Sequence, residues 1–90
     1  MKFYIKHSMT GRLRVHMDMK HMSFKQADIL EYYIKNIETV TSVKVYEKTC
    51  DAVIEFKGDI AQIINELKHF TYSQVAVPED VLNSSGREMN

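Results

Sequence analysis

Ninety residues, 44% of them apolar and 27% charged, with a formal net charge of zero, describe one globular domain with a single modest core. No apolar run approaches the roughly 20 residues a membrane helix needs. The opening residues lack a signal-peptide pattern, and the lone cysteine, Cys50, excludes an internal disulfide. A cytoplasmic setting, or the cytoplasmic face of a membrane, is therefore expected. The charge is uneven: residues 1–35 carry seven Lys/Arg against three Asp/Glu, and residues 36–90 carry five against nine. A strongly basic nucleic-acid binder would show a large net excess, so nucleic acid is not the expected partner.

The stretch from Ile5 to Met17 alternates at the period of a half-buried strand. Phe3, Ile5, His7, Met9, Leu13, Val15 and Met17 fall on one side, and Lys6, Ser8, Thr10, Arg12, Arg14 and His16 on the other. Gly11 marks a bulge or bend. A bulge there would exchange the faces beyond it. The unslipped register is preferred because it buries Leu13 and Val15 and leaves both arginines outside.

A short loop, His16 to Met22, leads to Ser23, which with Gln26 has the form of a capping box. Ala27, Leu30, Ile34 and Ile37 then recur at helical spacing, flanked by Tyr33, while Lys25, Asp28, Glu31 and Lys35 are expected to face water. The helix should end between Asn36 and Thr39. Val40 to Glu47 reads as a strand, Lys48 to Asp51 as a turn, and Ala52 to Lys57 as the returning strand, with Ala52, Ile54 and Phe56 inward. Asp59, with Gln62 three residues on, caps a second helix whose apolar face is Ile60, Ile63, Ile64, Leu67 and Phe70. Val75 and Val77 suggest a last short strand, stopped by Pro78. Residues 1–78 thus form the domain, and residues 79–90 turn polar and read as a tail or linker.

The order strand, helix, strand, strand, helix, strand predicts an α+β, ferredoxin-like βαββαβ sandwich. Its four-stranded antiparallel sheet carries both helices on one face and leaves the other open.

Two segments resemble a known family. The run from Val40 to Phe56 resembles the middle of heavy-metal-associated domains, the small ferredoxin-like domains of metal-pumping P-type ATPases and copper chaperones. The opening His7-Ser8-Met9-Thr10-Gly11-Arg12-Leu13-Arg14-Val15-His16 is similar to a variant of that family with a His, a Gly-Arg and a second Arg in the first strand and no metal-binding cysteine pair. The likeness spans about residues 2–78. It implies an N-terminal cytoplasmic domain of a heavy-metal-translocating P-type ATPase, sensing a transition-metal ion or docking on the remaining domains of that membrane protein. The usual Cys-x-x-Cys is replaced here by Asp18-Met19-Lys20-His21-Met22, so the family's metal site is not carried over.

Arg12 and Arg14, about 7 Å apart on one strand face, are candidates to clamp a carboxylate or phosphate or to dock an acidic surface. The alternative is that they simply solubilise the open face. Gly11 permits the bend. His7, on the apolar side in this register, is expected to bond a backbone carbonyl and fix the strand's bend. His16, Met19, His21 and Met22 offer imidazole and thioether within seven residues, a set suited to Cu(I), Zn(II) or Fe(II); packing of the methionines into the core is the alternative. Cys50 is expected at a turn with its thiol at least half exposed. The chain carries no phosphate-cradling loop, no nucleophile triad and no P-type phosphorylation motif, so an enzyme reading of the chain by itself is not supported. Two readings stay open: the pump domain, and a freestanding module that binds an anionic ligand, RNA or a partner protein on the open sheet face. An edge-strand homodimer is a third arrangement.

Overall fold

The N-terminal alternation belongs to two strands rather than one. In a computed structural model that describes residues 1–79 and Val81, β1 (Phe3–Met9) turns back at Thr10 and Gly11 into β2 (Arg12–Met17). Gly11 has φ +79°, a backbone conformation that side-chain-bearing residues rarely adopt and that the second position of a type II turn requires. The expected bend is therefore a full reversal.

The pairing explains why the reversal leaves the alternation intact. Next to the turn Met9 faces Arg12 and His7 faces Arg14, so odd residues of β1 share a face with even residues of β2. Beyond a bulge between Ile5 and His7 the pairs are Ile5 with Val15, Tyr4 with His16 and Phe3 with Met17, and odd meets odd. The two-residue turn inverts the parity, and the bulge at Lys6 restores it. The inner side thus receives Phe3, Ile5, Leu13, Val15 and Met17, as expected. His7 and Met9, however, lie on the outer face with Arg12 and Arg14, which corrects the assignment of His7 to the apolar side.

Ser23 caps α1 (Phe24–Lys35) through the expected box: its hydroxyl accepts the Gln26 N–H at 3.0 Å, and the Gln26 side chain accepts the Ser23 N–H at 2.9 Å. Ala27, Leu30, Ile34 and Ile37 are buried. Asp28 is buried too, and Glu31 bends to the sheet, where Oε2 accepts the backbone N–H of Val45 at 2.9 Å. Neither acid simply faces water. Glu31 covers a donor on β3 (Val40–Tyr46), which forms one edge of the sheet. β4 (Asp51–Phe56) runs back antiparallel to β3, and α2 (Ile60–His69) follows, capped by the Asp59 carboxylate on the Ala61 N–H at 2.9 Å. Val75 and Val77 form no strand: the chain passes through a 3₁₀ turn, Tyr72–Gln74, and Val75 packs on the core. The expected tail, 79–90, lies almost wholly outside the described residues.

The sheet order is β1-β2-β4-β3, antiparallel throughout. Leu13, Val15 and Met17 of β2 and Ala52, Ile54 and Phe56 of β4 are buried in one cluster with Leu30 and Ile34 of α1 and Ile63 and Leu67 of α2. This is the expected α+β, ferredoxin-like sandwich of a four-stranded antiparallel sheet and two helices. The place of the expected last strand, at the edge beside the leading central strand, is taken by β1 instead. Among the described residues no helix is long and apolar enough to cross a membrane.

Gly11→Ala tests the turn. The added Cβ would lie 3.5 Å from the Phe56 carbonyl oxygen, an ordinary contact, so the cost is conformational. A loss of about 1 kcal/mol in urea unfolding is expected, with the fold unchanged by circular dichroism.

Candidate functional site

The outer face of the sheet is built around a carboxylate. Asp51 opens β4 opposite His16 of β2 and Tyr46 of β3, and its side chain is 0% exposed although that face is not covered by a helix. Nitrogen-bearing side chains cover it. Lys6 Nζ donates to Oδ2 at 3.0 Å, Arg14 donates to the same oxygen through Nε at 3.2 Å and Nη2 at 3.0 Å, and His16 Nδ1 lies 2.7 Å from Oδ1. An ionised carboxylate only accepts, so His16 carries its proton on Nδ1 and donates it. Tyr4 stacks on the His16 ring, with centroids 6.4 Å apart.

The bulge makes this possible. Lys6 and His7 are consecutive, yet both reach the outer face, opposite Arg14. Lys6 turns to Asp51, and His7 is left beside Arg12, Arg14, Met9 and Val53 around a hollow of about 370 Å³. His7 therefore does not act as a buried bond to the backbone. Among the described residues Arg12 belongs to no ion pair. Its cross-strand neighbour Glu55 instead accepts the Ser42 hydroxyl at 3.1 Å, toward β3. The expected arginine pair is thus divided in role: both stand outside, Arg12 free and Arg14 held.

Burial pushes the Asp51 carboxyl up. The hydrogen bonds from His16, Lys6 and Arg14, with the Lys6 charge, outweigh it and bring the group from 3.8 down to about 2. Because the folded value lies below the unfolded one, the stabilisation is complete above about pH 4 and is lost as pH falls through 2; it is on the order of 2 kcal/mol. Neither Asp51, assigned to the turn, nor Lys6, read as one of several surface cations, stood out in the sequence. The only trace was that Asp51 shares outward parity with Val53 and Glu55.

Of the four residues offered as metal ligands, only His21 and Met22 share a cleft. Met22 is buried in the core, beneath the sheet, whereas His16 is on the opposite face with Asp51. Met19 Sδ accepts the Tyr72 hydroxyl at 3.4 Å. His21 is exposed and lines a cleft of about 490 Å³ with Lys20, Met22, Ser23, Phe24, Glu47 and Lys48. His16 is oriented by a carboxylate, as ligand histidines commonly are. Among the described residues, however, no three His, Cys, Asp or Glu side chains gather to hold an ion. Cys50 is buried, not half exposed, at φ 60°, and burial with the neighbouring Asp51 charge raises its thiol. A buried thiol held protonated in this way is a poor nucleophile.

Comparison with known protein families, with curated proteins and with solved structures finds no match.

Asp51→Asn would leave Lys6, Arg14 and His16 facing a neutral amide. A loss of about 3 kcal/mol at pH 6 is expected by denaturant unfolding. The wild type should also lose roughly 2 kcal/mol between pH 5 and pH 2 that the variant does not.

Proposed function

We propose that this chain is a docking domain of a heavy-metal-translocating P-type ATPase, acting on the cytoplasmic side and binding an acidic surface on the pump's own catalytic domains. The resemblance of the His7 to His16 and Val40 to Phe56 segments to heavy-metal-associated domains supports that family. The observation that carries the docking role is the open sheet face, where Arg12, which has no ion pair among the described residues, stands next to an Arg14 held in place by a buried carboxylate. A guanidinium already fixed loses little rotamer freedom when it meets a second anion. Lys6 and Lys44 lie on the same face, with Tyr4 and Tyr46 exposed beside them. Cations interleaved with amphipathic rings suit a polar protein surface better than a dry one.

Docking is preferred to metal sensing because His16 and Met22 are committed to opposite sides of the sheet. A transition-metal ion is then the cargo of the parent pump rather than a ligand of this domain.

The test begins with the reading frame of which this chain is part. It should encode several apolar spans and the phosphorylation sequence Asp-Lys-Thr-Gly. The nucleotide-binding and phosphorylation domain expressed from that frame should bind this chain with an affinity that falls as salt rises, and Arg12→Glu should weaken it about tenfold or more. A frame without those features, or binding indifferent to Arg12→Glu, overturns the proposal.

A further inference from the structure

We infer that the hollow between β1 and β2 on the outer face is a binding site for the phosphoryl group of a small phosphate ester. The inference rests on reading this face as anion-docking, but it asks for no partner protein.

The hollow is framed by two directly opposed pairs. His7 faces Arg14, Met9 faces Arg12, and Val53 of β4 stands opposite Arg14 on its other side. Arg14 spends its Nε–H and one Nη2–H on Asp51. A guanidinium has five N–H donors in a plane, so three remain, and the Asp51 contact fixes the plane in which they lie. Arg12, two residues along the same strand face, adds a second fork about 7 Å away by strand rise. That separation lets two guanidiniums approach one tetrahedral anion from different sides. His7 contributes a third nitrogen-bearing group from the facing strand, placed outward by the turn register that sets it opposite Arg14.

Among the described residues two carboxylates lie near the hollow, and each already accepts a hydrogen bond. Asp51 is enclosed by its own three partners, and Glu55 is drawn toward Ser42. Met9, 56% exposed, and Val53 form an apolar wall beside the cations. A bare anion would leave that wall wet, whereas the organic part of a phosphate ester would cover it. A phosphoryl group is favoured over a single carboxylate because it offers enough oxygens to satisfy two arginine forks at once.

The experiment is a titration of the 90-residue chain with inorganic phosphate, adenosine monophosphate and adenosine, followed by heteronuclear NMR. Saturable, one-to-one shifts confined to His7, Met9, Arg12, Arg14 and Val53 are expected with the nucleotide. A weaker response at the same residues is expected with inorganic phosphate, and none with adenosine. Arg12→Ala should weaken nucleotide binding about tenfold or more. Arg14→Lys, which keeps a positive charge near Asp51 but has no second fork to offer, should do the same, with circular dichroism checking that the fold is retained. Equal affinity for phosphate and nucleotide would overturn the assignment to an ester. Shifts that do not saturate, that spread to Lys44, or that survive both substitutions overturn the site itself. These results do not depend on whether any pump domain binds the chain.

Discussion

A fully buried carboxylate on the uncovered side of a sheet organises this domain. Asp51 lies on an inner strand, and its three partners, Lys6, Arg14 and His16, come from both strands of the N-terminal hairpin. Removing a carboxylate from water is costly, and the cost is offset only when its oxygens are well bonded. Here Oδ2 receives three N–H donors and Oδ1 one, and the group stays ionised. The consequence is mechanical as well as electrostatic. The hairpin is tied to β4 by side chains on the outer face as well as by the β2–β4 ladder, and the outer β1 strand acquires its own anchor through Lys6.

The hairpin itself depends on a cancellation. A two-residue turn at Thr10 and Gly11 would, in a regular ladder, put Ile5 on the opposite face from Val15 and Leu13. The extra residue at Lys6 corrects that, so Ile5 shares the inner side with Leu13 and Val15, and Phe3 packs against the core. The same extra residue brings Lys6 and His7 side by side on the outer face, one serving Asp51 and the other the hollow near Arg12. One bulge therefore settles the core register and the composition of the candidate site together. It also allows the sheet to be completed by an N-terminal strand, so that nothing after Phe70 is needed to form its edge.

Most of the architecture was legible because it rests on local rules. The Ser23–Gln26 box, the apolar stripe of α1, the inward parity of Ala52, Ile54 and Phe56, and the Asp59 cap each follow from short-range spacing, and each is present. The hairpin was not legible for a specific reason: turn and bulge compensate, and the odd-numbered apolar series runs on as though the chain had never reversed. Thr10-Gly11 also lacks the Asn-Gly or Asp-Gly signature of a tight hairpin. Val75 and Val77 carry strand-like residues, but the edge they would have joined is already filled by β1. For the candidate site, composition revealed the arginines and their outward face. Their different roles depend on Asp51, a residue 37 positions from Arg14 in sequence, and no local pattern announces that contact.

The outer face of the sheet depends on the ionisation of Asp51 beneath Lys6, Arg14 and His16. The most direct test is to follow the Asp51 side-chain carboxyl carbon by NMR while acidifying the folded chain. A midpoint near 2, with the Lys6, Arg14 and His16 side-chain signals moving in the same step, is the predicted result. A midpoint at the ordinary aspartate value of 3.8, with those three signals unmoved, would contradict it.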